Sequence, residues 1–246
     1  MIAGSDGNRR SGEGGRAPEP HGGRKDELWE AAYTSLESPR AEIRRYKRRL
    51  RNLGVGRWRR DAAIVELFCG RGNGLHALRE LGFTNLTGAD LSATLLRRYR
   101  GPARLVRCDC RTLPFAAESV DVVIVLGGLH HLPGLPVDVA ATLAEVRRVL
   151  RRDGWLLAIE PWRTPFLALV HWLCRRRLAR RLWPKLAALA TMIHYEQPTY
   201  DQWLAAADAL APLFERCIEV EHRSVRWGKL RLLGRKRPSG RDPSGS

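Results

Sequence analysis

Apolar and polar positions along this chain switch between two periods, and the switching predicts a series of strands and helices. Short apolar runs predict strands near residues 62–68, 85–90, 104–108, 120–126 and 154–160. Between them the spacing turns helical, near 73–81, 92–99 and 138–151. Such alternation predicts a parallel sheet with right-handed crossovers. Further on, Tyr200–Leu210 reads as a helix, and Cys217–Arg223 with Leu230–Gly234 read as a closing pair of strands around Trp227–Gly228. Ahead of the core, apolar residues at helical spacing run from Leu28 to Leu53. Pro39 breaks that run, predicting two helices, the second capped by Ser38.

The pattern divides the chain. Residues 1–26 are rich in Gly, Arg, Pro and Ser and bury too little apolar surface to order themselves, and 237–246 is a second loose tail. A helical extension occupies 27–60 and the α/β unit 61–236. Within that unit, 162–198 reads as a helical insert carrying Trp162, Phe166, Leu167, Leu169, Val170, Trp172 and Leu173, followed by arginines.

The run Ile64 to Leu75 carries the most chemistry. An apolar strand holding Glu66 ends in Phe68–Cys69–Gly70–Arg71–Gly72, and a helix begins just after. Glycine suits such a turn because it tolerates positive φ and admits a ligand close to the backbone. Acidic residues then follow at the ends of the next two strands, Asp90 and Asp109.

In these blocks the chain resembles the class I S-adenosylmethionine-dependent methyltransferases, in their small-molecule, type 11-like branch. The match spans about residues 60–162, with Glu66, Gly70 and Gly72 at the first strand, Gly88–Ala89–Asp90–Leu91–Ser92 at the second and Cys108–Asp109–Cys110 at the third. Val120–Leu126 with Leu129–His130–His131–Leu132 forms the fourth block, and Leu143–Leu150 with Asp153–Gly154–Trp155 the fifth. The resemblance implies a Rossmann-like, doubly wound sheet of seven strands, mostly parallel, with a C-terminal antiparallel hairpin. It implies S-adenosylmethionine as cofactor. Asp90 would take the ribose hydroxyls, Leu91 and Cys110 would flank the adenine, and Asp109 would take its amino group. Glu66 would order the glycine turn and the methionine end, Phe68 stands where a bulky side chain could crowd that end, and Leu126 would be a further cofactor contact. Where the family usually has glycine this chain has Phe68. The cytosine-C5 DNA methyltransferases carry an F-x-G-x-G turn there, but their Pro-Cys nucleophile is missing from this chain, as is the Asp/Asn-Pro-Pro-aromatic motif of amino-group methyltransferases.

Methyl transfer needs the acceptor held close, aligned and dry, with a base only if it must lose a proton. The candidates for acid–base work are His130, His131 and Glu160; for the acceptor pocket, His194, Tyr195 and Trp162. His130 or His131 can equally be packing residues, Glu160 a cap, and His194–Tyr195 surface residues. His76 reads as structural.

Composition sets outer bounds. The chain has 246 residues, with 43 Lys plus Arg against 26 acids and a net charge of +17. Only five of the basic residues are lysine. Arg40–Arg60 holds ten basic residues and one acid, Glu42, while Pro161–Tyr195 holds seven basic residues and no acid. A field of this sign attracts polyanions. The insert can be a packed helical pair with a solvated basic face, an interfacial segment on an anionic membrane over 162–185, or a nucleic-acid contact. Five cysteines, three at strand ends, do not form a disulfide framework, and Cys108–Asp109–Cys110 is poor metal spacing, so no metal is expected. Without a signal-peptide pattern, the expected location is cytoplasmic, with a peripheral association at the inner membrane face open to it.

The expected function is therefore methyl transfer from S-adenosylmethionine to a small or lipid-like acceptor, on oxygen, nitrogen or carbon. An RNA methyltransferase and a non-catalytic adaptor that keeps the fold are the alternatives.

Overall fold

The computed structural model describes residues 37–238. The tail at 1–26, the first N-terminal helix and most of the last tail lie outside the described residues.

Seven strands form one sheet in the order β3-β2-β1-β4-β5-β7-β6. They are β1 Ile64–Leu67, β2 Leu86–Asp90, β3 Arg104–Arg107, β4 Val120–Leu126, β5 Leu150–Pro161, β6 Ile218–Arg226 and β7 Lys229–Lys236. β1 to β5 run parallel, and β7 pairs antiparallel with both β5 and β6. The hairpin turns on Trp227 (φ 54°) and Gly228 (φ 70°), two successive positive-φ residues of the kind a two-residue hairpin requires. The sheet and hairpin agree with the sequence expectation.

β1 is buried along its whole length, as suits a central strand covered on both faces. Its alternate residues feed two cores. Val65 and Leu67 join Val123, Val125, Leu156, Leu230 and Leu232 beneath helices α4 (Val137–Val149) and α8 (Ala207–Cys217). Ile64 joins Ile124, Leu157, Ile159 and Leu233 beneath α1 (Pro39–Asn52) and α2 (Asn73–Glu80). Ser38 caps α1 by accepting from the Ala41 amide (3.4 Å), as expected.

Three boundaries differ from expectation. The helix after β2, α3, spans only Ala93–Leu96. β5 begins at Leu150, ahead of the Gly154 expected to open it. The insert is three helices, α5 Pro165–Arg175, α6 Arg177–Leu182 and α7 Pro184–Ala205, and α7 absorbs the helix expected to start at Tyr200. Pro198 lies inside α7. A proline there removes one backbone bond, but Tyr200 and Trp203 bury their rings and the Trp203 Nε1 donates to the Pro161 carbonyl (2.7 Å), anchoring the far half.

β1 lies between β2 and β4, where the strand order reverses. The loops leaving β1 and β4 therefore part, and the crevice they leave at the C-terminal sheet edge is where open α/β sheets bind ligands.

Candidate functional site

The glycine turn is built by its neighbours. Gly70 (φ 53°) and Gly72 (φ 81°) hold left-handed backbone, and the Gly72 amide closes the turn on the Cys69 carbonyl (2.8 Å). Asp90, at the end of β2, grips the turn: Gly70 donates to its Oδ2 and Ser92 to its Oδ1, both at 2.8 Å. A carboxylate oxygen accepts more than one bond, so both oxygens keep capacity for ribose hydroxyls.

Glu66 is buried, and among the described residues its Oε2 has no partner. Its pKa is raised well above the ordinary value, by desolvation first, then by Glu42 and Asp90. A side chain on Gly74 would collide with its carboxylate, so the start of α2 presses against it. Glu42 of α1 is buried too and accepts from Asn73 Nδ2 (2.7 Å), pinning α1 to the glycine turn. The sequence reading missed this contact. Its signal was a lone acid in a stretch of ten basic residues.

Phe68, where glycine is usual, turns its ring away from the glycine turn's open side. Its backbone is left-handed (φ 55°), a strained state for a bulky residue, costing about 1–2 kcal/mol. The ring lies against Gly128, where any side chain would strike it. A Cβ at Gly70, by contrast, meets nothing nearer than Leu95 Cδ1 at 3.9 Å. The space beside the turn is open.

The adenine-side expectations divide. Leu91 is 64% exposed, an apolar surface at the site's edge, with its carbonyl held by Arg107. Cys110 instead points into the core, its Sγ 3.4 Å from Thr142 Oγ1. Asp109 is taken by Arg111, whose Nη2 lies 2.7 Å from Oδ2 and whose side chain also reaches Asp138 (2.9 Å). That hydrogen-bonded pair holds the Asp109 pKa below its usual value. The local i,i+2 pairing was readable in Asp109–Cys110–Arg111, but not the third member, Asp138.

A second cluster stands at the ends of β4 and β5. Glu160 has no exposed surface. Its Oε1 accepts from the Gly128 and Leu129 amides (2.8 and 2.9 Å), and its Oε2 lies 2.8 Å from His130 Nδ1. Glu160 therefore has both oxygens committed, one to the loop and one to His130. This revises the expectation of direct acid–base work. With Nδ1 committed to Glu160, His130 turns Nε2 toward Glu196 Oε2, 3.9 Å away. His131 is exposed and stacks on His130 with ring centroids 4.1 Å apart. His130 and the Lys229 ammonium beside it lower its pKa.

α7 closes this cluster with residues at helical spacing: Glu196, Tyr200 (5.8 Å from the His130 ring, edge-on) and Trp203 (6.5 Å). The expected pocket residues on that helix lie elsewhere. His194 is exposed and its ring meets Tyr195 at 5.5 Å. Trp162 is a core residue against Trp203 at 6.0 Å, rather than a pocket wall, because β5 continues to Pro161. Leu126 ends β4 half-buried against the α1–α2 core.

Donor atoms of His130, His131 and Glu196 lie within 4.8 Å of one another, a set able to hold a metal ion. The ammonium of Lys229, close enough to depress His131, opposes a second cation there. The five cysteines are free.

Comparison with known proteins agrees with this geometry. Residues 65–158 match the family described as methyltransferase domain. The chain is 38% identical over 128 residues to the phthiotriol/phenolphthiotriol dimycocerosates methyltransferase of Mycobacterium leprae, covering 50% of this chain and 44% of that one. It is 34% identical over 131 residues to the ubiquinone/menaquinone biosynthesis C-methyltransferase UbiE of Syntrophotalea carbinolica, covering 46% and 54%. The chain thus spans about half the length of these relatives. Among solved structures, PH0226 of Pyrococcus horikoshii shares the fold at TM-score 0.63 and 18% identity, over 88% of this chain and all of that one.

Proposed function

We propose that this chain, whose core is a class I methyltransferase domain of the kind that uses S-adenosylmethionine, transfers a methyl group to a lipid-like or other small acceptor. The observation that carries the reading is the convergence of Glu66, Asp90 and the open Gly70–Gly72 turn on the crevice where the strand order reverses. The residues fit the cofactor. A buried carboxylate with an unpartnered oxygen suits a cationic methionine end, Asp90 suits two ribose hydroxyls, and exposed Leu91 suits the flat face of adenine. When bound, the sulfonium supplies an activated methyl carbon.

The chain's own groups supply placement. Glu160 holds the Gly128–Leu129 amides and His130, so the loop after β4 keeps one shape beside the glycine turn. His131, exposed beside His130, is the group open to a proton from an acceptor hydroxyl or amine. The named lipid and quinone substrates of the relatives support an apolar acceptor. The insert supports it as well. Phe166, Leu169 and Trp172 project from one face of α5, Leu178, Leu182 and Trp183 extend that exposed apolar surface, and Arg175–Arg177, Arg180 and Arg181 lie among them. Apolar residues ringed by arginine suit an anionic bilayer surface, from which a lipid-like acceptor would be drawn.

Labelled S-adenosylmethionine incubated with the chain and a cell extract, then separated into lipid, nucleic-acid and protein fractions, tests the acceptor class. Label should appear in the lipid fraction. Label in nucleic acid would replace this reading with the RNA alternative. In parallel, Arg175→Gln/Arg176→Gln/Arg177→Gln should reduce binding to phosphatidylglycerol vesicles at least tenfold. Equal binding would remove the membrane role.

A further inference from the structure

α1 crosses from the glycine turn to β7 and brings basic residues together. Lys229 pairs with Pro161 and Arg231 with Ile159, so both project on the face whose core joins Ile159 and Leu233 to Leu50 and Leu53 of α1. Arg45 and Arg49 stand one turn apart on that helix. Arg49 senses Arg45 and Arg231, and Lys229 senses Arg49 and Arg45, so the four charges are neighbours.

Other cations on the sheet are either paired or exposed: Arg151 pairs with Asp121, Arg235 with Glu221 and Lys236 with Glu118, while Arg104, Arg107, Arg152 and Arg226 are exposed. Arg45 reaches Glu37 and Glu42. Arg49, Lys229 and Arg231 differ: among the described residues none has a carboxylate within ion-pair distance, although all three are partly buried. Desolvation, then Arg49 and Arg45 against the opposing pull of Glu160, puts Lys229 at about 8, and desolvation with Arg45 and Arg231 puts Arg49 at about 10. Like charges crowded together with restricted access to water and no described ion-pair partner are a standing cost that a bound anion relieves.

Their position says which anion. Lys229 also senses Glu160 and Glu196, and His131 senses Lys229, so the cations border the histidine pair at the ends of β4 and β5. Glu42, which touches the glycine turn, precedes Arg49 by seven residues of helix, about 10 Å. Asp90 on β2 and Lys229 on β7 thus flank the crevice between β1 and β4 from opposite sides.

We propose that Arg49, Lys229 and Arg231 form the binding site for an anionic group, a carboxylate or a phosphate, carried by the methyl acceptor. This rests on the methyltransferase reading and narrows its acceptor to an anionic amphiphile. Arginine offers paired donors to planar carboxylate or phosphate oxygens, and lysine adds a point charge.

The test follows the thermal midpoint of the full chain against inorganic phosphate and, separately, benzoate, at ionic strength held constant with sodium chloride. Each titration is run with and without saturating S-adenosylhomocysteine. The parent should show a saturable rise with at least one anion in the presence of S-adenosylhomocysteine, and the stronger of the two tells phosphate from carboxylate. Lys229→Met/Arg231→Leu should shift the saturation midpoint at least tenfold, with S-adenosylhomocysteine affinity kept; Lys229→Gln, read the same way, serves if the double variant does not fold. Arg152→Gln, at an exposed cation near the opposite end of β5, should leave the midpoint in place. No saturable rise with either anion, or a rise indifferent to Lys229 and Arg231, overturns the proposal. So does a rise abolished by S-adenosylhomocysteine, which would assign the cations to the donor's own carboxylate. Failure of the parent to bind S-adenosylhomocysteine strikes the methyltransferase reading instead, and the anion titration remains readable.

Discussion

Replacing Asp90 by alanine removes one side chain and two structural bonds at once. Its carboxylate accepts from the Gly70 and Ser92 amides at 2.8 Å each, so it couples the glycine turn to the end of β2. Leaving such a donor without its acceptor costs about 1–3 kcal/mol. The Ser92 amide can find water at the surface, whereas the Gly70 amide faces a bound nucleoside and is desolvated when the crevice fills. Adding the ribose hydroxyls lost with the carboxylate, Asp90→Ala should weaken S-adenosylmethionine binding by about 2–4 kcal/mol, or about 30- to 1,000-fold. Asp90→Asn keeps one acceptor oxygen but sets an amide NH2 against an N–H donor, so it should fall between parent and alanine. Calorimetric titration reads the affinity, and a melting curve reads the fold. The midpoint should drop by about 2–8 °C, from one or two kcal/mol lost in the empty chain. Asp90→Ala binding within threefold of the parent would refute the assignment of this edge as the donor site.

Two further outcomes follow from the buried carboxylate beside the turn. Because the folded chain holds Glu66 protonated well above its ordinary pKa, it binds a proton that the unfolded chain has released, and stability falls as pH rises from about 4.5 through the raised value. Glu66→Gln should flatten that slope in melting curves across pH 4.5–8. It should also weaken S-adenosylmethionine binding about tenfold and abolish the proton release measured by calorimetry in buffers of different ionisation enthalpy. A parent with no buffer dependence contradicts this. Gly74→Ala drives a methyl into the Glu66 carboxylate and should lower stability by about 1–3 kcal/mol in urea unfolding, whereas Gly56→Ala, with open space around it, should change little.

Much of the donor half was legible in the linear order of residues. An apolar run, Glu66, glycines and then acids at the next two strand ends repeat a local grammar, and local grammar is set by backbone sterics and by where each strand stops. The antiparallel hairpin was legible for the same reason, since Trp227–Gly228 sits between two apolar runs. Side-chain direction was not. Cys110 and Trp162 fall at the expected places in the chain yet face the core, and Asp109 is claimed by Arg111 and Asp138.

The acceptor half was decided by tertiary structure. Glu160 and His130 are thirty residues apart and meet only because β4 and β5 run side by side and end together. Glu196 joins them because α7 continues through Pro198 and is anchored by Trp203. Lys229 arrives from the antiparallel strand β7, which begins where β5 stops, and Arg49 from a helix more than a hundred residues earlier. The order of residues determined an α/β unit with its glycine turn and strand-end acids in place. Which charges face one another across the crevice was settled by strand register and helix packing, because a buried ion's neighbours are fixed by distance in space and not by separation along the chain.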